Sequence, residues 1–292
     1  DYYFSAADYP MIMMITGRGC PFGCFYCLYP QVMHGRGYRF RSAENVAAEF
    51  KYIAENFPDV KEIVIEDDTF TANPARVRAI CELLIKDSSK IKWSCNARVN
   101  LDLATLKLMK KAGCRLLIVG YESGVQEILD SMHKGIKVEQ SEEFTRNAKK
   151  AGILIHGCFM LGNPGETRDT IEKTFKFAKK LQCDSAQFYP LFVYPGTEAY
   201  DWAKGNGYIS AVDFSEWISP DGRHNCVIDI PGLKGSDITD VSERMTLGYH
   251  LRPRYVMYKL TQLFSNTPEF IRTVRSGVKY FALLVKLMIL KR

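Results

Sequence analysis

Short apolar runs alternate with helix-period segments over the first two-thirds of the chain. Runs near Met11–Thr16, Glu62–Glu66, Lys92–Ala97, Leu116–Gly120, Leu154–Leu161 and Ala186–Leu191 have the length and composition of strands. The segments between them carry helix punctuation. Ser42 stands where it can cap a helix running to about Asn56, and Asp102 where it can cap one that ends at Gly113. Regular strand–helix alternation predicts parallel β/α units, and six of them predict an α/β fold, a partial parallel (β/α)6 TIM-like barrel over residues 1–204. From about Gly205 the pattern loosens into a Gly-, Pro- and Asp-rich stretch between Ile218 and Gly235. Helical segments follow, so residues 205–292 read as a mostly helical C-terminal extension.

In a parallel β/α barrel, reactive groups collect at the carboxyl ends of the strands, where the loops converge on one mouth. The polar motifs fall at those ends in series. Cys20-Pro21-Phe22-Gly23-Cys24-Phe25-Tyr26-Cys27 follows the first run, Glu66-Asp67-Asp68 the second and Asn96-Ala97-Arg98 the third. Gly120-Tyr121-Glu122-Ser123-Gly124 follows the fourth, and Gly162-Asn163-Pro164-Gly165-Glu166 the fifth. Cys20, Cys24 and Cys27 are spaced C-x3-C-x2-C, and thiolate is the soft ligand that iron–sulfur clusters prefer. Three ligands leave one iron of a four-iron cluster free to bind a small molecule. Structural zinc is the rival reading, but zinc takes four ligands and no second Cys or His pair follows.

Composition is that of an ordinary globular chain large enough for one full core: 292 residues, 47% hydrophobic and 25% charged. The other six cysteines, Cys81, Cys95, Cys114, Cys158, Cys183 and Cys226, are scattered singly in or beside apolar runs, which predicts free thiols in a reducing cytoplasm. No secretory signal is visible, and no uncharged apolar run approaches the ~18 residues of a spanning helix. A start at Asp1 without methionine suggests the catalytic part of a longer protein. Net charge is +6, yet Arg252 to Arg292 holds nine Lys/Arg against one acid, Glu269, so the body is slightly acidic and the tail strongly basic. On a helical wheel Arg272, Arg275, Lys279 and Lys286 share one stripe, while Phe270, Ile271, Val274, Phe281, Leu284, Val285 and Met288 spread over the rest. Such a helix over 268–292 suits peripheral contact with the inner face of a membrane, or docking on protein; both bury the same surface.

The cysteine spacing, with aromatic Tyr26 before the last cysteine, resembles the radical S-adenosylmethionine superfamily, and the resemblance runs from Met11 to about Ala199. Within it the chain is similar to the cobalamin-associated branch that contains the anaerobic porphyrin ring cyclase and hopanoid-tailoring enzymes. That similarity rests on Gly17 to Pro21, Cys27-Leu28-Tyr29-Pro30-Gln31, Tyr38 to Ser42, Asp67-Asp68-Thr69-Phe70, Gly120 to Gly124 and Phe159 to Thr167. The resemblance implies a [4Fe-4S] cluster on Cys20, Cys24 and Cys27, S-adenosylmethionine on its open iron, and an electron donor such as flavodoxin or ferredoxin. It also implies a 5′-deoxyadenosyl radical that abstracts hydrogen from a hydrophobic substrate, a hopanoid or other lipid, for ring rearrangement, oxidation or methylation. Cobalamin would come through a segment outside this chain, which lacks an Asp-x-His-x-x-Gly motif, so methyl transfer ranks below ring chemistry.

Bound S-adenosylmethionine calls for acids near its ammonium, and Glu66, Asp67 and Asp68 stand where the superfamily usually has Gly-Gly-Glu. Which acid makes the contact stays open, and a solvated or metal-binding acidic run is the alternative. Arg98 suits the cofactor carboxylate or ribose, and Glu122 the ribose hydroxyls or ammonium; an Arg98–Glu122 ion pair is the plain alternative. Tyr26 joins the cofactor-binding set, and Gly162 and Gly165 read as backbone devices for close approach of adenine. Arg36, Arg39 and Arg41, interleaved with Tyr38 and Phe40, shield the cluster, meet an anionic substrate, or are solvated. His34, His133, His156, His224 and His250 read as structural. Tyr189, Tyr194 and Cys158, on or after late strands, read as packed core side chains, with a hydrogen-atom donor to a substrate radical as the alternative. No nucleic acid is expected, since no basic stripe crosses the body. A non-enzymatic iron–sulfur or zinc scaffold, or a tRNA-modifying radical enzyme, are the competing functions.

Overall fold

The computed structural model describes residues 6–87, 91–219 and 222–290, with side chains described as far as residue 279. In chain order the strands are β1 (Met11–Met14), β2 (Gly17–Arg18), β3 (Arg39–Phe40), β4 (Glu62–Ile65), β5 (Lys92–Ala97), β6 (Cys114–Glu122), β7 (Leu154–Leu161) and β8 (Ser185–Pro190). Six of them form one sheet in the order β1-β4-β5-β6-β7-β8, with every neighbouring pair parallel, while β2 and β3 make a small antiparallel pair. All six expected strands are present, β6 extending two residues past the expected run at each end. The result is the partial (β/α)6 barrel.

The helices are α1 (Ala43–Asn56), α2 (Pro74–Lys86), α3 (Leu103–Lys111), α4 (Gln126–Ser131), α5 (Val138–Ala151), α6 (Arg168–Leu181), α7 (Glu198–Gly205), α8 (Gly235–Leu251), α9 (Pro253–Ser265) and α10 (Thr267–Leu290). Their starts follow local chemistry. Ser42 Oγ accepts from the Asn45 N–H at 3.2 Å and Asp102 Oδ1 from the Thr105 N–H at 2.8 Å, each satisfying a donor that the first helical turn leaves over. Val46, Ala47, Phe50 and Ile53 form the buried face of α1.

Strand register decides which side chains face outward and which face the lumen. Met14, Ile65, Cys95, Leu117 and Ile155 are cross-strand partners in one row and are all buried in the main core. An aromatic stack of Tyr121, Phe159 and Phe188, with centroids 5.7 and 5.0 Å apart, continues that core toward α8. The opposite face is looser: Leu154, His156, Cys158 and Met160 alternate along β7 as half-buried residues. At the first strand's end Met13 is 57% and Ile15 46% exposed, so the lumen opens beside an apolar edge.

The chain after Gly205 holds to the barrel on β8 and from beneath, among other contacts. On β8, α8 packs directly, and Tyr249 and Tyr255 donate to the Cys183 and Asp184 carbonyls, each at 2.8 Å. Beneath the barrel, Arg115 pairs with Glu62 at 2.9 Å and with Glu269 of α10 at 3.3 Å, and Glu269 also pairs with Arg272 and Lys259. The basic stripe is thereby split, because Arg272 turns inward to Glu269. Outward, α9 and α10 present Met257, Leu260, Phe264, Ile271, Val274 and Val278 to solvent. Phe281, Leu284, Val285, Lys286 and Met288 belong to the helical backbone of α10, but their side chains lie outside the described residues. Among the described residues no helix is long and apolar enough to cross a membrane.

Candidate functional site

The cysteine loop lies over the carboxyl ends of the strands and is held from several sides. Cys20 and Cys24 are buried, and Cys27 is half-buried. The Cys27 N–H donates to the Cys24 carbonyl at 3.1 Å, closing the loop on itself. Gln31, on a short π-helical turn from Tyr29 to Met33, reaches the Cys24, Phe25 and Cys27 carbonyls at 2.9–3.1 Å. Phe25 adds a main-chain bond to Met132 and accepts one from Ala199, each at 3.1 Å, tying the loop to the elements beyond β6 and β8. Gln31 appears in the sequence only as part of a resemblance, and its service to three carbonyls is visible only in three dimensions.

The three acids after β4 have different duties. Asp67 is buried; its Oδ1 accepts from the Thr16 and Gly17 N–H groups at 2.6 and 2.9 Å, and its Oδ2 from the Thr16 hydroxyl at 2.6 Å. Asp68 Oδ2 accepts from the Gly19 N–H at 2.7 Å and meets His34 Nδ1 at 2.8 Å. Both carboxylates are spent on positioning the chain that leads into Cys20. Glu66 is exposed at the strand end, and among the described residues its carboxylate has no hydrogen bond or ion pair. Burial of its inner part, then the charge of Asp67, raises its pKa. Of the three, Glu66 is the acid free to meet a ligand's ammonium.

Glu122 and Arg98 do not pair. Glu122 Oε1 instead accepts from Lys134 Nζ at 2.6 Å and from the Tyr26 hydroxyl at 3.0 Å, and Lys134 also donates to Tyr26 at 3.1 Å. Lys134 is 6% exposed and lies in the turn after α4, where the sequence carries no motif that marks it. Burial, then the Glu122 charge, pushes the Tyr26 phenol well above its ordinary range, so it stays a donor at neutral pH. Glycine at position 120 permits this cluster: a Cβ there would strike Glu122 Oε1 and lie 2.9 Å from Lys134 Nζ. Arg98 sits over the Phe22 ring, 3.8 Å from its centroid, and directs Nη1 to Cys24 Sγ at 3.6 Å and Nη2 to the Lys134 carbonyl. Its guanidinium thus serves a cysteine of the loop, and an N–H donor on a ligating sulfur tunes a cluster's potential.

At the end of β7, Gly162 and Gly165 have φ of +94° and +78°, the left-handed region that side chains disfavour. The close neighbour of Gly162 is Ile238 of α8, 3.1 Å from where a Cβ would stand, so its missing side chain serves packing of the extension. Glu166 braces the turn: Oε2 accepts from the Gly162 N–H, the Asn163 N–H and the Asn163 side-chain amide at 2.8–3.0 Å, while the buried Oε1 has no partner. Burial raises the Glu166 pKa from 4.5 to about 7, against the lowering effect of these donors. The folded state therefore holds a proton that the unfolded chain releases, and stability falls as pH rises from the unfolded value to about 7. Glu166→Gln should remove that slope, gaining on the order of 3 kcal/mol relative to the parent at pH 8 but little at pH 4. Urea unfolding at the two pH values checks this; equal differences at both would exclude the protonation.

The sulfurs suit a cluster. Burial, then the neighbouring Cys24 and Cys20, push the Cys27 thiol up to about 11, so iron has protons to displace there. Among the described residues no three His, Cys, Asp or Glu groups stand close enough to share a single metal ion. Arg98 and the Glu122–Lys134–Tyr26 cluster converge on the same loop. Tyr29 stacks on His34, Tyr38 tilts against Phe40, and Arg36, whose guanidinium lies beside Gly23 of the loop, pairs weakly with Glu198 at 3.8 Å.

Comparison with known proteins agrees with this geometry. An uncharacterized methyltransferase of Pyrococcus horikoshii is 32% identical over 255 residues, 87% of this chain and 54% of that protein. The anaerobic magnesium-protoporphyrin IX monomethyl ester cyclase of Rubrivivax gelatinosus is 30% identical over 186 residues, 63% of this chain and 33% of its own. The chain thus spans about half or less of the length of these relatives. Among solved structures, the radical S-adenosylmethionine methyltransferase TsrM of Kitasatospora setae, with tryptophan and a cofactor analogue bound, superposes with a TM-score of 0.69 at 18% identity. That superposition covers 84% of this chain and 52% of the other, and shows a shared fold. Residues 14–178 match the Radical SAM superfamily, more than half of the chain, and the chain accordingly belongs to that superfamily of enzymes, which work with a [4Fe-4S] cluster and S-adenosylmethionine.

Proposed function

We propose that this chain is the radical-generating core of an enzyme that abstracts hydrogen from a hydrophobic substrate held in the open barrel lumen. The supporting observation is the convergence of Arg98, Glu122, Lys134 and Tyr26 on the cysteine loop beside a lumen edged by Met13 and Ile15. Cys20, Cys24 and Cys27 would hold the cluster, which supplies an electron that breaks the sulfur–carbon bond of S-adenosylmethionine and yields a 5′-deoxyadenosyl radical. Glu66 suits the cofactor ammonium by charge and exposure, and beside the cysteine loop Glu122 suits the ribose hydroxyls as an acceptor and Lys134 the carboxylate by charge. The apolar edge favours a lipid, a hopanoid or another large hydrophobic ring system, and ring formation or rearrangement is the preferred outcome. Methyl transfer is the second reading, favoured by the relative named as a methyltransferase, with cobalamin coming from a segment outside this chain. A flavodoxin or ferredoxin would deliver the electron in the cytoplasm. The exposed apolar residues and basic charge of α9 and α10 suit contact with a membrane's inner face, where a lipid substrate would be met.

Anaerobic reconstitution tests the reading. The protein should bind about four iron and four sulfide and release 5′-deoxyadenosine from S-adenosylmethionine with dithionite. The Cys20/Cys24/Cys27→Ala variant should release none. Equal release by that variant, or one zinc in place of iron, would sink the proposal.

A further inference from the structure

Cys158 and Tyr189 are absorbed by none of the roles above, yet they share the lumen face. Cys158 lies on β7 opposite Gly120 of β6 and Gln187 of β8, and Tyr189 lies on β8 opposite Met160. In parallel register this makes them diagonal neighbours on one face of the sheet. Both are half-buried, as are Leu154, His156 and Met160 on the same face of β7, while Gln187 beside Cys158 on β8 is exposed. Their position relative to the radical site follows from Gly120. The Glu122–Lys134 pair lies over the Gly120 backbone, next to Cys158 across the ladder, and Glu122 in turn touches Tyr26 of the cysteine loop. The thiol therefore stands one strand away from the group that adjoins the cluster loop. Burial, first of all, pushes the Cys158 thiol up to about 12, so it keeps its hydrogen at neutral pH.

We propose that Cys158, backed by Tyr189, is a hydrogen-atom donor to the carbon radical formed in the lumen. An S–H bond is weaker than the C–H bonds of saturated carbon, so transfer from the thiol runs downhill. In the step, the carbon radical takes the hydrogen atom: a C–H bond forms, the Cys158 S–H bond breaks, and a thiyl radical remains. The thiyl then takes the hydrogen of the Tyr189 hydroxyl, restoring S–H and leaving a phenoxyl radical. One electron from a flavin or iron–sulfur donor and one proton from solvent return that phenoxyl to the phenol. A residue that gives hydrogen back to the substrate carbon fits rearrangement or ring chemistry, whereas methyl transfer fills that carbon with a methyl group. The inference rests on the function proposed above, since it needs the adenosyl radical.

The test uses no substrate. Reconstituted protein equilibrated in D2O is given S-adenosylmethionine and dithionite, and the 5′-deoxyadenosine formed is weighed by mass spectrometry. Here the adenosyl radical is itself the carbon radical, and the Cys158 thiol carries deuterium, so product one mass unit heavier is expected from the parent. The readout is the labelled fraction of whatever product forms. Cys158→Ala should lower that fraction several-fold, and so should Cys158→Ser, which keeps a hydroxyl of nearly the same size in that place but has an O–H bond too strong to donate. Tyr189→Phe should keep the label in the first equivalent and lose it afterwards, because the thiyl is no longer repaired. Unlabelled product from the parent, or unchanged labelling in the Ala and Ser variants, overturns the donor role. No 5′-deoxyadenosine from the parent at all overturns the proposed function, and the donor role with it.

Discussion

Lys134→Met should destabilise the fold by about 3–5 kcal/mol, because it removes the cation from a carboxylate that cannot reach water. Glu122 is buried, its carboxylate faces Lys134 Nζ at 2.6 Å, and only the Tyr26 hydroxyl would remain to it. The strand beneath offers no relief, since the pair already fills the space over Gly120. Adding Glu122→Gln to Lys134→Met removes the stranded charge and should recover most of the loss. Recovery of stability must not bring recovery of ligand binding if the pair serves S-adenosylmethionine, so the double variant separates the two roles. Urea unfolding of the single and double variants, with calorimetric titration of S-adenosylmethionine, makes the comparison. A double variant that binds the cofactor like the parent would reduce Lys134 and Glu122 to scaffolding.

Glu269→Ala is expected to cost a similar ~3–5 kcal/mol at the other end of the barrel. Glu269 faces Arg115, Arg272 and Lys259, and the first of these also pairs with buried Glu62. Without Glu269, Lys259 and Arg272 lose the carboxylate that draws them inward, and α10 loses its anchor to the barrel floor. Amide exchange should therefore quicken in α9 and α10 well before it does in β6 or β7. Exchange that quickens equally everywhere would show that the extension and the barrel unfold as one unit, with Glu269 no local anchor. Lys259→Met is a useful companion, because it leaves Glu269 with two other cations and should be far milder.

The strands and the first helix starts were legible because their signals are local. Alternating apolar runs marked β1, β4, β5, β6, β7 and β8, and the Ser42 and Asp102 side chains cap the turns that follow them. The cysteine loop was legible too, since its three cysteines are neighbours in sequence. Partners brought from far along the chain were not. The Glu122 cation comes from a turn with no motif, and an Arg98–Glu122 pair was the natural guess from residue types alone. Arg98 and Glu122 belong to neighbouring strand ends, yet the backbone aims Arg98 at Cys24 and the Lys134 carbonyl. The acids after β4 looked equivalent in sequence and are not, because two point back into the entry of the cysteine loop and one outward. Gly162 likewise needs its left-handed backbone, but what fills the space beside it is a helix some 70 residues further on.

By itself, then, the sequence determined the β/α order, the position of each polar motif at a strand end, and the three sulfurs of one loop. These depend on side-chain period, on caps and on short spacings, all of which act within a few residues. Tertiary structure alone decided which charges meet: Lys134 with Glu122, and Glu269 with Arg115. Burial makes those choices matter, since a charge or thiol that the surface would leave unperturbed must find a partner once water is excluded, and the partner is whichever group the strand register delivers.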